Sequence, residues 1–281
     1  MMHKLWVAPL CLLCAGFLAG CEQNGHAQTA RAIDSIAAID QENMAELMLS
    51  AADPREAVSY FTQAAENNPD RVIFRRGLAR SLARAGQAEE AIPVWQQVIA
   101  HPDSVLDDQV ELADAYIRTN EWSQAEATLN RVPPTHETFQ RYRLEAMVAD
   151  ARQQWDRADS FYEIAVDLTP RPAGVLNNWG YSKLTRGDNR GAERLFTEAL
   201  RHDSSMFTAK NNLVLARAAQ RRYELPLIQM TQTERAELLH TMALAAIRQG
   251  DVAVGRGLLQ DAIATHPQHF DAAVLALRAL Q

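Results

Sequence analysis

The sequence contains few of the residues that build covalent cross-links, metal sites or nucleic-acid-binding surfaces. Its three cysteines, Cys11, Cys14 and Cys21, lie at the start of a chain of 281 residues. The remainder of the chain can therefore form neither a disulfide nor a thiolate metal site. The net charge of −7 argues against a nucleic-acid partner, because binding to phosphates requires a basic surface. Aromatic residues make up only 7% of the chain, which favours many small contacts between helices over one aromatic core.

The short motifs of common catalytic sites are also missing. The sequence has no P-loop, no glycine-rich dinucleotide fingerprint and no nucleophile elbow. His266 and His269 lie close together, but no cysteine or third histidine stands near them in sequence to complete a metal site. Carboxylate pairs such as Glu89-Glu90 are predicted at helix starts, where negative charge complements the helix dipole. We therefore predict no catalytic residues, no metal site and no cofactor.

The N-terminal residues have the layout of an export signal. An apolar run of 13 residues at 5–17 follows a short basic start. It is shorter than the roughly 20 residues that a membrane-spanning helix requires, so it indicates a secretory signal. The next four residues, Leu-Ala-Gly-Cys at 18–21, resemble the bacterial lipoprotein signal. This resemblance implies that residues 1–20 are a cleaved signal peptide and that Cys21 is lipidated. The alternative is an ordinary cleavable signal followed by a chance cysteine.

Lipidation would anchor the mature chain to a membrane. The resemblance implies several acyl chains on Cys21, and each buried methylene contributes roughly 0.8 kcal/mol to anchoring. Glu22 follows the cysteine where inner-membrane lipoproteins have aspartate, which implies the outer membrane. Residues 21–37 are then the lipidated N-terminus and a polar tether, and we expect the protein on the periplasmic side of the cell envelope.

Single residues recur along the rest of the chain with a period close to 34. Five alanines stand 34, 34, 33 and 34 residues apart, and each is followed four positions later by a bulky apolar residue. The alanines are Ala57, Ala91, Ala125, Ala158 and Ala192, and the bulky residues are Phe61, Trp95, Leu129, Tyr162 and Phe196. Residues four apart share one face of a helix, so the alanine admits a neighbouring helix and the bulky side chain fills the space beside it.

A second set of positions marks the other helix of each unit. Small residues such as Ala79 and Gly180 stand twelve positions before the alanines. Gly86, Asn120 and Gly187 follow where that helix should end. Glycine and asparagine suit the left-handed conformation at a helix C-terminus. Each unit is therefore predicted to be a pair of helices joined by a short turn.

This pattern resembles the tetratricopeptide repeat, a helix–turn–helix unit of 34 residues. The resemblance covers residues 38–280 and implies one all-α domain, a superhelical solenoid of about seven helix–turn–helix units plus a closing helix. The sixth unit is degenerate, because Pro226 stands where the alanine is expected. Such units cannot bury their apolar faces alone, so stacking builds the core and creates a concave groove.

Paired asparagines mark one place in two successive units. Asn177-Asn178 and Asn211-Asn212 stand 34 residues apart, in first helices, which line the groove of tetratricopeptide arrays. Asparagine is a mediocre helix former, so its use there needs a reason. One interpretation is a surface that hydrogen-bonds the backbone or carboxylate of a partner protein. The other is hydrogen bonding between repeats. The partner-binding candidates are Asn177, Asn178, Tyr181, Lys210, Asn211 and Asn212.

The asparagine segments and the closing residues 265–270 (Thr-His-Pro-Gln-His-Phe), joined to a lipoprotein signal, resemble the TadD lipoproteins of the tight-adherence (Flp) pilus system. The resemblance implies a scaffold anchored in the outer membrane, pilotin-like and not an enzyme, that helps the pilus secretin to assemble. Two alternatives remain open. One is a tetratricopeptide lipoprotein adaptor for outer-membrane protein insertion or cell-wall enzymes, and the other is an enzyme with an unrecognised site.

The lipoprotein signal generates the first prediction. Cys21→Ala removes the thiol that receives the lipid, so the variant should stay unprocessed or be mislocalised. Metabolic labelling with a fatty acid should mark the wild-type protein and leave the variant unmarked. Equal labelling of both proteins would show that the lipid is attached elsewhere.

Overall fold

The computed structural model describes residues 43–280, and those residues form helices joined by turns and loops, without a β-strand among them. The signal peptide, Cys21 and the tether at 21–37 lie outside the described residues, so the predictions about them stay predictions. The chain divides into two compact units at Ser104. Each unit is an array of helices in which neighbours along the chain pack against each other.

Residues 43–104, the described part of the first unit, form four helices. Helical residues 43–50 (α1) are followed by α2 (Pro54–Asn67), α3 (Val72–Arg84) and α4 (Ala88–Ala100). Helix α3 packs against both α2 and α4. Asp53 caps α2, because its carboxylate accepts a hydrogen bond from the backbone N–H of Arg55. The apolar centre of this unit forms around Phe61 and Phe74, both of which are fully buried.

The second unit contains ten helices among the residues that the structure describes. They are α5 (Leu106–Arg118), α6 (Trp122–Leu129), α7 (Phe139–Ala151), α8 (Trp155–Asp167), α9 (Ala173–Thr185), α10 (Asn189–His202), α11 (Phe207–Ala218), α12 (Gln232–Arg248), α13 (Val252–Thr265) and α14 (Asp271–Arg278). The pairs α5–α6, α7–α8, α9–α10 and α12–α13 are the helix–turn–helix units, and α14 closes the array against α13.

The residues that define the repeat form the core, as predicted. All five repeat alanines have no exposed surface, and the five bulky residues that follow them are at most 2% exposed. The small residues of the first helices, such as Ala79 and Ala146, are buried as well. The sequence period of 34 is therefore the period at which one helix packs closely against the next.

The turns between paired helices use the left-handed conformation. Gly86 and Gly187 have φ values of 79° and 86°, and Asn120 has 62°, as the sequence predicts. Gln153 occupies the equivalent turn between α7 and α8 with a φ of 58°. This residue was not predicted, because glutamine has no preference for that conformation. The turn is therefore imposed by the two helices that flank it.

The sixth predicted unit lacks its second helix. Helix α11 ends at Ala218, and residues 219–231 form a loop in its place. Pro226 has no backbone N–H to donate and restricts the residue before it, so a helix is disfavoured there. Leu225 and Met230 of this loop pack against the apolar cluster that joins α11 to α12. Irregular backbone thus covers a surface that a helix covers in the other units. Residues 43–280 form six helix pairs where about seven are expected.

None of the helices between residues 43 and 280 is long and apolar enough to cross a membrane.

Gly180 allows α9 to approach Phe196 of α10, and it generates the second prediction. A Cβ atom at position 180 would lie 2.7 Å from the Phe196 ring, so Gly180→Leu should overpack the pair. Overpacking a core typically costs roughly 1–3 kcal/mol, and the melting temperature of the full chain should fall. Gly174→Ala on the same helix is the matched control, because its new Cβ meets no heavy atom within 4 Å. Equal melting temperatures for Gly180→Leu and wild type would show that this contact is not tight.

Candidate functional site

A groove of about 490 Å³ in the second unit contains four of the six predicted partner-binding residues. It lies along the first helices α7, α9 and α11 and reaches α6 and α8. The lining residues are Trp122, Met147, Asp150, Ala151, Trp155, Tyr162, Asn177, Asn178, Tyr181, Ser182, Thr185, Thr208 and Asn212. Aromatic and amide side chains therefore share one continuous surface, although aromatic residues are scarce in the chain.

The aromatic wall of the groove comes from equivalent repeat positions. Trp122 and Trp155 begin helices α6 and α8, and both are half-buried. Tyr181 on α9 is the most open of the aromatic residues here, with 54% of its surface exposed. The two tryptophans both pack within the array and line the groove. Their spacing of 33 residues in equivalent positions was the available signal.

The floor of the groove holds a carboxylate that sequence reasoning missed. Asp150 Oδ1 accepts a hydrogen bond from Ser182 Oγ at 2.6 Å, and Oδ2 accepts one from Tyr162 Oη at 2.9 Å. Burial raises the pKa of Asp150, although both hydrogen bonds act in the opposite direction. Burial also raises the pKa of Tyr162 well above its ordinary value. Asp150 stands four residues after the buried Ala146, a spacing that places it on the inward face of α7.

The asparagines in the groove bond to neighbouring helices. Asn212 Nδ2 donates to Asn177 Oδ1 at 3.1 Å, which links α11 to α9. Asn178 Nδ2 lies 3.7 Å from Met147 Sδ, a weak contact that leaves most of its amide capacity for other partners. Asn212 is only 8% exposed. Asn177 and Asn212 therefore connect repeats, and Asn178 keeps most of its amide capacity for a ligand.

Lys210 and Asn211 do not line this groove, contrary to the expected cluster of six. Lys210 Nζ pairs with Glu234 Oε1 at 2.9 Å, and the lysine is 3% exposed. Asn211 Oδ1 accepts a hydrogen bond from Thr241 Oγ1 at 2.9 Å. Lys210 precedes Asn212 by two positions, which is roughly 200° around a helix of 3.6 residues per turn. The lysine therefore faces α12 and offers no cation to a ligand in the groove.

A second, partly buried carboxylate joins α8 to α9 beside the groove. Asp159 accepts hydrogen bonds from Trp179 Nε1 at 2.6 Å and Lys183 Nζ at 2.8 Å, and Arg186 also pairs with it. Burial opposes the ionisation of Asp159, but the hydrogen bonds from Lys183, Trp179 and Arg186 outweigh it and hold the pKa below its usual value. Trp179 in turn stacks on Tyr162 with ring centroids 6.2 Å apart. The network thereby fixes the helices that carry the groove.

A larger cleft of about 880 Å³ lies beside α10, and its lining is of a different kind. Its lining residues are Arg190, Glu193, Arg194, Thr197, Glu198, Arg201, Gln220 and Arg222. Glu193 accepts bonds from Arg217 at 3.0 Å, Gln220 at 3.0 Å and Arg222 at 2.7 Å, and these partners outweigh burial and lower its pKa. This cleft has no aromatic lining residue, so we regard the groove along α7, α9 and α11 as the candidate site.

Among the described residues, no group of three or more histidine, cysteine, aspartate or glutamate side chains could hold a metal ion. His269 Nε2 pairs with Asp271 Oδ1 at 3.1 Å on the surface, and His266 Nδ1 bonds to backbone atoms of Gln268. His266 also stacks on Phe270 with ring centroids 4.8 Å apart. Both histidines thus have local partners at the end of the array.

Sequence and structure comparisons identify the type of repeat. A tetratricopeptide-repeat sequence profile matches residues 43–105 and 177–225. The chain resembles a tetratricopeptide-repeat protein from Parabacteroides merdae with a TM-score of 0.56 and 11% identity, over 85% of this chain and 96% of that one. The fold is therefore an all-α solenoid of the tetratricopeptide-repeat type, and the repeat profile matches two segments of it.

Other solved structures share this fold at similar distance. A thermophilic tetratricopeptide-repeat protein of Thermus thermophilus matches with a TM-score of 0.54 and 17% identity, over 62% of this chain and 95% of that one. The APC/C hetero-tetramer Cut9–Hcn1 contains a chain that matches with a TM-score of 0.60 and 14% identity, over 84% of this chain. This chain spans 48% of that longer chain. No curated protein matches by sequence.

The Asp159 network generates the third prediction. Asp159→Asn removes the charge that three donors share, so the free energy of unfolding at pH 7 should fall by about 1–3 kcal/mol. Because the folded pKa of Asp159 is lowered, its contribution is complete above the unfolded pKa of about 3.9 and is lost as pH falls through the folded pKa. The difference between variant and wild type in denaturant unfolding should therefore shrink below about pH 4.

Glu163→Gln is the control for this prediction, because Glu163 is an exposed acid on the same helix. It should leave stability nearly unchanged at both pH values. A difference between Asp159→Asn and wild type that stays constant from pH 7 to pH 3 would show that the charge on Asp159 does not contribute.

Proposed function

We propose that the protein is a lipid-anchored scaffold that holds a segment of a partner protein in the groove along α7, α9 and α11. The observation that supports this proposal is that one surface combines accessible aromatic side chains with the Asn178 amide, most of whose hydrogen-bonding capacity is unused. Tryptophan and tyrosine dominate the binding energy of protein interfaces, because they bury a large area at a small entropic cost. Asn178 can both donate to and accept from a peptide backbone.

The size of the groove agrees with such a role. Its volume of about 490 Å³ lies within the range of roughly 300–1,000 Å³ that is typical of ligand pockets. An extended segment could place one or two side chains between Trp155 and Tyr181 while its backbone passes Asn178. The tetratricopeptide fold also favours binding over catalysis, because each helix pair contributes to one long surface and not to an enclosed chamber.

The proposed partner is the secretin channel of a tight-adherence pilus, and the proposed place is the periplasmic face of the outer membrane. Support for this assignment comes from the lipoprotein signal at 18–21 and from the segments around Asn177 and Asn211 that resemble the TadD lipoproteins. A lipid on Cys21 and a tether of residues 21–37 would keep the repeats close to the membrane in which a secretin assembles.

Capture of the secretin from membranes tests this function and is the fourth prediction. The full-length protein should retain the pilus secretin from a detergent extract of outer membranes, measured by immunoblotting. Tyr181→Ala removes the most exposed aromatic side chain of the groove, and it should reduce capture by about tenfold, which corresponds to 1.4 kcal/mol. Circular dichroism of the variant should match that of the wild type.

Leu275→Ala on α14 is the matched control, since Leu275 is 63% exposed and lies outside the groove. It should capture as much secretin as the wild type does. Undiminished capture by Tyr181→Ala would place the binding surface elsewhere. Retention of outer-membrane insertion proteins or cell-wall enzymes in place of the secretin would favour the adaptor alternative.

A further inference from the structure

The charge on the groove is negative, whereas the candidate Lys210 would have added a positive charge. Among the described residues that line it, Asp150 is the only one that is charged at neutral pH. Lys210, one of the six partner-binding candidates, is paired with Glu234 on another face of α11. A ligand carboxylate in the groove would therefore meet a negative charge without a lining cation to offset it.

The arginines that influence this region are already paired. Arg186 shares Asp159 with Lys183, and Arg143, whose Nη2 lies 3.2 Å from Asp114 Oδ1, shares Asp114 with Arg118. Neither carboxylate lines the groove. Asp150 itself is bonded to two hydroxyl groups, and Arg186 acts on its charge only through space. A cation on a ligand in the groove can therefore still pair directly with the Asp150 carboxylate.

Asp150 also has acceptor capacity left. Each carboxylate oxygen has two lone pairs, and Ser182 and Tyr162 use one on each oxygen. One lone pair on each oxygen is then available to a donor on a ligand. Burial of the carboxylate raises its pKa, which means that the ionised form is under-solvated and gains from a nearby cation.

The aromatic wall adds a second attraction for a cation. The faces of Trp122, Trp155 and Tyr181 have negative electrostatic potential, and a guanidinium or ammonium group within about 6 Å of such a face is attracted to it. The chain already uses this interaction here, because the Arg186 guanidinium lies 5.6 Å from the centre of the Trp155 ring. Arginine and lysine also have long aliphatic stems that pack on apolar surface such as Met147.

We infer that the groove selects an extended protein segment that presents an arginine or lysine side chain, bound between the carboxylate of Asp150 and the aromatic faces of Trp122, Trp155 and Tyr181. This inference rests on the proposed function, because it specifies the chemistry of the segment that the groove would hold. Acidic segments and free C-terminal carboxylates are selected against by the same surface.

The test uses three synthetic peptides of nine residues, acetylated and amidated, built from glycine, serine and leucine and differing only in the central residue. That residue is arginine, norleucine or glutamate. Each peptide is titrated into the detergent-solubilised full-length protein, and the indole N–H resonances of Trp122 and Trp155 are followed by NMR. We expect the arginine peptide to shift both resonances and to bind at least about tenfold more tightly than the glutamate peptide.

Asp150→Asn keeps the shape of the side chain and removes the charge, so the ratio of affinities should fall below about threefold. Asp156→Asn is the control, because Asp156 is an exposed acid on α8 outside the groove, and the ratio should persist. If Asp150→Asn fails to fold, the wild-type protein still provides a test. Binding of the arginine peptide should weaken between 50 and 500 mM NaCl, because salt screens the attraction between two charges. Binding of the norleucine peptide should not weaken.

The outcomes separate this inference from the proposed function. Equal affinity for all three peptides, or a preference for glutamate, overturns the selection for a cation and leaves the groove as a binding surface. An arginine preference that survives in Asp150→Asn also overturns it. If none of the peptides shifts the two indole resonances, the inference fails. Secretin capture by Tyr181→Ala, compared with capture by the wild type, then decides separately whether the groove binds a partner.

Discussion

The structure depends on one packing contact, which is repeated in each helix pair. A small residue on one helix lets the next helix approach closely, and a bulky side chain four positions later fills the remaining space. At Gly180 and Phe196 the approach is so close that a single Cβ atom would collide with the ring. Because this contact occupies one face of each helix, the opposite faces of the first helices keep polar residues, and in the second unit those faces form the groove.

Residues that connect the repeats also determine the chemistry of the groove. Asp150 joins α7 to α8 and α9 through Tyr162 and Ser182, and the amides of Asn177 and Asn212 join α9 to α11. Each bond fixes the orientation of neighbouring helices and simultaneously places a polar atom on the groove surface. The asparagines can therefore orient the repeats and contact a ligand at the same time. Repeat geometry and ligand selectivity have the same physical origin here.

Features that depend on the repeat period were predictable from the sequence. The buried alanines, the bulky apolar residues after them and the turns at Gly86, Asn120 and Gly187 each follow from one helix pair and its neighbour. Long-range pairings were not predictable. Lys210 meets Glu234 of the next first helix, which follows a loop whose path the repeat period does not specify. Asp150 was missed because its partners come from two other helices.

The loop at 219–231 has a consequence for how the second unit unfolds. In a repeat array, cooperativity passes from one unit to the next through their shared interfaces. Helix α11 lacks a partner helix of its own, so α10 and α12 are coupled through that single helix and through the loop. In the loop, Arg222 bonds Glu193 of α10, and Tyr223 bonds Asp251 before α13. We therefore expect the pair α12–α13 and the closing helix to open together in hydrogen exchange, in a step that also breaks the bonds made by the loop.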